Sequence, residues 1–143
     1  MTSDEFFAAN KSSFDLIFID GLHHRDQVER DILNALAVLN PGGTIVVHDC
    51  NPGDESMQVV PQSQEEWTGD VWKAWVKLRA TRFDLRMFVV DVDYGCGVIR
   101  RRKPDTMRTR GDMPYAVFDK NRRDLLNLID VSDFLRCLGE PER

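Results

Sequence analysis

Cysteine is scarce in this chain and is not arranged in pairs. The 143 residues include three cysteines, Cys50, Cys96 and Cys137, which stand far apart in the sequence. An odd number at wide spacing argues against a disulfide framework, and no Cys-x-x-Cys pair offers a structural zinc site. We therefore expect three reduced thiols, since free cysteine commonly behaves as a small buried apolar residue.

Long apolar runs are missing from the sequence as well. No stretch approaches the roughly 20 residues that a membrane-spanning helix needs. Residues 1–5 include two acids and lack the basic segment and the apolar core of a signal peptide. We expect a cytoplasmic protein that makes no contact with a membrane.

Positive charge is in the minority and is concentrated in one segment. Lys and Arg number 19 against 24 Asp and Glu, which gives a formal net charge of −5. Residues 100–123 nevertheless hold nine basic and three acidic side chains. No aromatic residue lies between Arg100 and Arg110, so the stacking partners of a single-stranded nucleic-acid surface are missing there. We interpret the segment as a solvated basic loop, with attraction of an anionic partner as the alternative.

The residues that are present follow the pattern of an α/β domain. The length favours one domain over residues 1–143, with a basic loop and C-terminal helices in residues 102–143. Residues 14–20 and 44–49 are short apolar runs, typical of strands buried on both faces. Between them apolar residues recur at helical spacing, until Pro and Gly in residues 40–43 end the helix. This order predicts a parallel, right-handed βαβ unit.

A loop, a helix and a hairpin are predicted next along the chain. Residues 51–69 are rich in Pro, Gly, Ser and acids and predict a long loop. The following helix, expected to begin near Asp70, carries Trp72 and Trp75. Their spacing favours packing against the sheet over lining a pocket. The apolar runs at residues 85–90 and 97–101 predict an antiparallel hairpin.

The C-terminal segment predicts two more helices. A stripe of apolar residues at helical spacing indicates the first, and Ser132 is expected to cap the second. The stripe consists of Leu125, Leu126, Leu128 and Ile129.

Two carboxylates directly follow the two predicted parallel strands. Asp20 ends the first strand and Asp49 ends the second. Ligands of open α/β sheets bind outside the carboxyl ends of the strands, so we expect both side chains at one site. There they would share a divalent cation or a polar ligand. The alternative is that each acid only caps the turn that follows it.

All three histidines of the chain lie beside these strand ends. His23 and His24 follow Asp20, and His48 precedes Asp49. Histidine is the side chain best suited to move a proton near neutral pH, which makes His23 a candidate. A structural or solvent-exposed role is the alternative for His23, and more so for His24. Alternation along a strand places His48 on the sheet face opposite to Asp49, which predicts a core histidine.

Four segments resemble one known family. They are residues 14–23 (FDLIFIDGLH), 28–31 (VERD), 39–43 (LNPGG) and 46–52 (VVHDCNP). These are similar to the second half of class I S-adenosylmethionine-dependent methyltransferases, in particular the small-molecule O-methyltransferase-like branch. The resemblance implies a Rossmann-like α/β fold, whose seven strands lie in the order 3-2-1-4-5-7-6. The strands of this chain would correspond to 4-5-7-6, the last one antiparallel, with helices on both faces.

The resemblance also implies a reaction and roles for individual residues. It implies O-methyl transfer from S-adenosylmethionine to a small-molecule acceptor, with His23 and Asp49 as catalytic residues. Asp20, Gly21 and Leu22 match the cofactor-binding turn, and Asp20 and Asp49 match the metal-binding acids of metal-dependent members. Cys50 stands where relatives often carry Asp or Asn, and a thiol is a poor ligand for Mg²⁺.

The first three strands of that family, with the Gly-rich loop that holds the cofactor, have no counterpart in the sequence. The resemblance therefore implies an incomplete methyltransferase domain, whose isolated chain binds S-adenosylmethionine weakly. Two alternatives stay open. One is a non-catalytic interaction or remnant domain, and the other is one half of a site that another chain completes.

The missing strands also predict how the chain associates. Without them the apolar strand Phe14–Ile19 has an unpaired edge that lacks Pro and Lys, and such an edge is a template for association. We expect a homodimer through this edge, most simply with two-fold symmetry. Alternatively, residues 1–13 or the terminal helices cover it.

Overall fold

The computed structural model describes residues 1–102 and 112–139, which contain five strands in one sheet. The strands are β1 (Phe14–Ile19), β2 (Leu39–Val47), β3 (Leu85–Val90), β4 (Cys96–Arg101) and β5 (Leu128–Ile129). The helices are α1 (Ser3–Ala9), α2 (Arg25–Ala37), α3 (Val71–Thr81), α4 (Tyr115–Leu126) and α5 (Val131–Gly139), and a 3₁₀ turn covers Ser56–Gln58. The order across the sheet is β1-β2-β4-β3-β5. This open, mixed α/β sheet is consistent with the Rossmann-like class.

The predicted βαβ unit is confirmed as β1–α2–β2. The two strands pair in parallel, with Ile17 beside Ile45 and Ile19 beside Val47. The second strand begins earlier than residue 44, the start that the sequence predicts. Leu39 pairs with Phe14, and the register shifts before Leu16 pairs with Thr44, so residues 40–43 form an irregular part of the strand. Pro41, Gly42 and Gly43 therefore come after the end of α2, as predicted, but they lie inside β2.

The predicted hairpin is also confirmed, and it places an antiparallel strand inside the sheet. β3 and β4 pair antiparallel, and β4 lies antiparallel beside β2 as well. The hairpin turn contains Asp93, Tyr94 and Gly95, all three with positive φ. Helix α3 covers Val71–Thr81 with Asp70 at its N-cap position, as predicted, although the Asp70 carboxylate accepts from the Arg25 N–H and makes no capping hydrogen bond to α3.

The larger core lies between one face of the sheet and helices α2, α3 and α4. Trp72 and Trp75 are both only 1% exposed within this core, as their spacing predicts. Trp72 stacks on Phe118 of α4 with ring centroids 4.2 Å apart, and the Trp75 indole donates to the backbone carbonyl of Leu126. The tryptophans thus join α3 to α4 and to the sheet.

The opposite face of the sheet is covered unevenly. Phe134 of α5 packs against Phe88, so helices lie on both faces. At the other side of the sheet, Leu16 and Phe18 of β1 are 65% and 58% exposed. Helix α5 therefore covers the β3 side of this face and leaves the β1 side open among the described residues.

The prediction of one helix through Ile129 is wrong. Helix α4 ends at Leu126 because Asn127 adopts the left-handed conformation, with φ 53° and ψ 55°. Leu128 and Ile129 then continue as β5, which pairs in parallel with β3. A short run of apolar residues fits a helical stripe and a short strand equally well, and only the conformation of Asn127 separates the two.

The predicted cap of the last helix is wrong by two residues. The Asp130 carboxylate accepts hydrogen bonds from the backbone N–H of Asp133 and from the Ser132 hydroxyl, at 2.8 and 2.7 Å. Asp130 is therefore the residue that caps α5, and Ser132 lies inside its first turn.

Part of the predicted basic loop, residues 103–111, lies outside the described residues, as do residues 140–143. The interpretation of residues 100–123 as one basic loop is wrong for the described parts, because Arg100 and Arg101 belong to β4 and Arg122 belongs to α4. These three arginines make structural contacts. Arg100 donates to the Thr44 hydroxyl, Arg101 to the carbonyl of Leu36, and Arg122 to Asn51. Among the described helices, none has the length and apolar character that crossing a bilayer requires.

Candidate functional site

The carboxyl ends of β1 and β2 bring the two predicted acids to one place. Asp20 directly follows β1, and Asp49 lies two residues beyond β2. The two turns are joined by the His48 backbone N–H, which donates to the carbonyl of Ile19 at 3.0 Å. Asp49 is buried, whereas the Asp20 side chain is 42% exposed. The site therefore has one carboxylate inside the protein and one at its surface.

His23 lies between these two carboxylates. Its Nδ1 is 3.1 Å from Asp49 Oδ2, and its Nε2 is 3.3 Å from Asp20 Oδ1. The Trp67 ring stacks on the imidazole at 5.5 Å, and the Trp67 carbonyl lies 3.2 Å from Nδ1. The structure thus brings together the three side chains that the sequence places at the site, and the end of the 51–69 loop holds the imidazole.

His48 belongs to the same cluster, and the prediction of a core histidine is wrong. Its Nδ1 lies 3.2 Å from Asp49 Oδ2 and 3.5 Å from Asp20 Oδ1. The alternation rule fails here because Asp49 has left the strand conformation, with φ 61°. The chain therefore turns at Asp49, and the carboxylate comes round to the side of the His48 ring.

Asp93 is a member of the cluster that the sequence analysis missed. Its Oδ2 lies 3.1 Å from Nε2 of His48. Asp93 comes from the β3–β4 turn, and its left-handed φ of 47° is unusual for a residue other than glycine. The sequence shows an acidic pair there, Asp91 and Asp93, but only the pairing of β4 beside β2 brings Asp93 to the site.

The turn after β2 is fixed from two sides. Asn51 donates to Asp91 at 3.0 Å, and Arg122 of α4 donates to the Asn51 side chain. The backbone N–H groups of Cys50 and Asn51 donate to the carbonyls of Gly95 and Tyr94. These bonds hold the Asp49 turn against the turn that carries Asp93.

Burial and charge act in opposite directions on the His48 ring. Burial disfavours its charged form, but the hydrogen bond to Asp93 and the charges of Asp49 and Asp20 outweigh burial and raise the pKa of His48. Burial raises the pKa of Asp49, and the neighbouring His23 and His48 rings oppose that rise. His48 and Asp49 therefore each hold a proton more tightly than an isolated side chain of the same type would.

Two neighbours that the sequence brings near the site do not enter the cluster. The Cys50 thiol is buried and lies 3.4 Å from the carbonyl of Val47, and burial raises its pKa strongly. His24 packs edge-on to Trp67 at 5.9 Å. Cys50 is consequently a core residue, and His24 is a neighbour of the loop.

Two of the three predicted cofactor-binding residues, Asp20 and Gly21, line a groove, and Leu22 does not. Gly21 approaches the buried Asp31 carboxylate, and Leu22 is 53% exposed. The groove has a volume of about 410 Å³ and runs between α1 and the edge of β1. Its lining includes the polar groups of Asp20 and Asp31 together with apolar side chains such as Phe6.

The comparison with protein families adds one match. A family model described as a methyltransferase domain matches residues 1–50. The match supports a methyltransferase domain. It covers α1, β1, α2 and β2 and includes Asp20, His23, His48 and Asp49. No match was found among curated proteins.

Replacing Asp93 with asparagine is expected to lower the pKa of His48. The variant keeps the size of the side chain and removes the charge that favours the imidazolium. A histidine whose pKa is raised in the folded state stabilises the protein at low pH, and this stabilisation is lost as the pH rises through the folded-state pKa. Asp93→Asn removes part of that rise, so it should also reduce the free energy of unfolding at acidic pH. NMR titration of the histidine rings, with EDTA present, measures the shift. Asp91→Asn removes a charge from the same turn and should move the His48 pKa less.

Proposed function

We propose that this protein transfers a methyl group from S-adenosylmethionine to an oxygen atom of a small molecule. The observation that carries the proposal is His23, held between Asp20 and Asp49 inside the segment that matches the methyltransferase family model. An imidazole beside a buried carboxylate is suited to take a proton from a hydroxyl group. We place the reaction at the carboxyl ends of β1 and β2.

His23 acts as the general base in this proposal. With the Nδ1 proton directed at Asp49 and at the Trp67 carbonyl, Nε2 is the atom that receives the proton of the acceptor hydroxyl. Asp49 fixes the ring and stabilises the imidazolium that forms. S-adenosylmethionine, when bound, supplies a methyl group activated by a positively charged sulfur.

The polar groups that line the groove suit the cofactor. Asp20 and Asp31 offer carboxylate oxygens to hydroxyl or amino groups, and Gly21 lets a ligand approach the backbone closely. The exposed Leu22 side chain offers an apolar contact. We assign cofactor binding to Asp20, Gly21 and Leu22, with Asp31 as an additional polar group.

The test is a methyl-transfer assay that compares two histidine variants. The chain is incubated with methyl-labelled S-adenosylmethionine at high concentration and a panel of small phenols and alcohols. His23→Gln should lower the rate by about 10²–10⁴-fold, the usual contribution of a general base. His24→Gln is the matched control and should retain activity. Equal rates in both variants would contradict the role of His23, and no turnover by the wild-type chain would favour a non-catalytic binding domain.

A divalent cation is a second candidate ligand of the same cluster. Asp20, His23 and Asp49 each offer one ligand atom, and these atoms lie within 4.8 Å of one another. One imidazole with two carboxylates suits Mn²⁺ or Zn²⁺ better than Mg²⁺, which prefers oxygen ligands alone. Cys50 takes no part because its thiol lies in the core. A cation here would act as a Lewis acid on the acceptor oxygen.

Mn²⁺ is therefore expected to raise the melting temperature of the wild-type chain. A ligand that binds only the folded state at a hundred times its Kd stabilises by about 2.7 kcal/mol. Asp49→Asn should abolish the increase in differential scanning fluorimetry. Asp26→Asn, which changes a carboxylate outside the cluster, should keep it. An unchanged wild-type melting temperature at millimolar Mn²⁺ would remove the metal from the proposal.

A further inference from the structure

The carboxylates around the two histidines give the candidate site a net negative charge. The cluster sets the carboxylates of Asp20, Asp49 and Asp93 against the imidazoles of His23 and His48. With all carboxylates ionised, negative charge is in excess even when both imidazoles are protonated. Among the described residues, the ion pairs of these carboxylates are with the two histidines. The negative charge is therefore only partly compensated within the protein.

Two further carboxylates extend this negative surface. Asp91 lies in the turn between β3 and β4 and accepts from the Asn51 amide at 3.0 Å. Glu66, in the loop before α3, accepts from the Tyr94 hydroxyl. Both donors are uncharged, so both carboxylates keep their charge. The charge of Glu66 raises the pKa of Tyr94, and desolvation and the charge of Asp93 add to the rise. Another negative charge is thus disfavoured beside this turn.

Aromatic rings border the same carboxylates. Trp67 stacks on His23, and the Phe18 ring lies 6.2 Å from the ring of His48. Phe18 and Tyr94 are 58% and 39% exposed, so both rings keep open surface beside the cluster. Aromatic faces attract organic cations, whereas a metal ion takes its ligands from oxygen, nitrogen or sulfur atoms. Carboxylates and aromatic rings together therefore favour an organic cation as the ligand.

Asp93 is the carboxylate best placed to receive a charged group of the acceptor. It contacts Nε2 of His48, whereas Asp20 and Asp49 lie at Nδ1 of the same ring. Its side chain is 69% exposed, and it is not one of the three side chains that could share a metal ion. Asp20 lines the groove assigned to the cofactor. The charge of Asp93, on the other side of the ring, remains available to the acceptor.

We propose that the methyl acceptor is a hydroxyl compound with a positively charged ammonium group, which Asp93 and the ring of Tyr94 hold. This inference rests on the function proposed above and narrows its acceptor to organic cations. An ammonium group makes a charge-assisted hydrogen bond to a carboxylate and a cation–π contact with an aromatic face. The surplus negative charge steers cations towards the site and repels anionic acceptors.

Binding of three phenols that share one scaffold and differ in charge tests the proposal without the cofactor. Tyramine carries an ammonium group, para-propylphenol is its neutral counterpart, and para-hydroxyphenylpropionate carries a carboxylate. In NMR titrations of the wild-type chain with EDTA present, tyramine should bind about tenfold tighter than the neutral phenol, from one cation–π contact and one exposed ion pair. The anion should bind most weakly, and added salt should shrink the difference. Equal affinities, tighter binding of the anion, or no binding of tyramine at millimolar concentration would overturn the proposal.

Asp93→Asn assigns the charge preference to one side chain. Asparagine tolerates the left-handed conformation of residue 93, so the turn is retained. The variant should lose most of the preference for tyramine and keep the affinity for para-propylphenol. Asp124→Asn is the matched control, because it removes the same charge near the end of α4, which precedes the start of β5 at the opposite edge of the sheet. A preference that survives in Asp93→Asn, or is lost in Asp124→Asn, would contradict the assignment.

The methyl-transfer assay separates this inference from the proposed function. Turnover of the phenols with no advantage for tyramine would overturn the selection of cations and leave methyl transfer intact. Charge-dependent binding of tyramine without turnover of any phenol would contradict methyl transfer and leave the preference of the site for cations intact. Faster turnover of tyramine, reduced by Asp93→Asn and not by Asp124→Asn, is the result that we expect.

Discussion

Replacing Trp75 with alanine is expected to remove a large share of the free energy of unfolding. Trp75 is 1% exposed and joins α3 to the sheet, and its indole N–H donates to the Leu126 carbonyl at 3.3 Å. Removing a buried tryptophan costs about 3–5 kcal/mol. Domains of this size are commonly stable by only about 5–15 kcal/mol, so the loss is a large share of the total.

Urea denaturation followed by circular dichroism measures the Trp75→Ala effect. Trp67→Ala is the control, because it removes the same side chain from a half-buried position in the 51–69 loop. The Trp67 ring packs on His23, so its removal should disturb the site more than the stability. Equal losses of stability in the two variants would show that burial in the α3 core is not the cause.

The fold was predictable where the local sequence pattern fits only one type of secondary structure. The apolar runs of β1 and β2, with the helical spacing between them, admit only a parallel βαβ unit. Leu128 and Ile129 were assigned wrongly because their pattern fits two structures, and the left-handed Asn127 decides between them. Backbone conformation at one residue is rarely visible in an isolated sequence.

The same distinction applies to the candidate site. Asp20, His23 and Asp49 were predictable because strand ends in an α/β sheet meet at one edge. His48 was placed on the wrong face and Asp93 was missed, since both depend on turns with positive φ. The contact of Asp93 with His48 also requires β4 to insert beside β2, a long-range pairing that local periodicity does not report.

The second large effect is expected at Gly69, where the 51–69 loop meets α3. Gly69 has φ 59°, and a Cβ added there would lie 2.8 Å from the carbonyl carbon of His23 and closer still to its oxygen. The neighbouring Asp70 N–H donates to that same carbonyl at 3.2 Å. Alanine must therefore push the His23 backbone away, because the obstructing atoms belong to the main chain and have no rotamer to change.

Gly69→Ala should therefore cost about 3 kcal/mol, from the left-handed conformation and the collision together. It should also shift the His23 ring resonances and the Trp67 fluorescence, because the carbonyl that the Cβ strikes belongs to the residue stacked on Trp67. Gly42→Ala is the matched control: φ is 78°, and a Cβ there meets nothing within 4 Å. It should show only the conformational cost, about 1 kcal/mol, and leave both signals of the site unchanged. If the two variants lose equal stability and neither moves the His23 resonances, the Gly69 contact does not position His23.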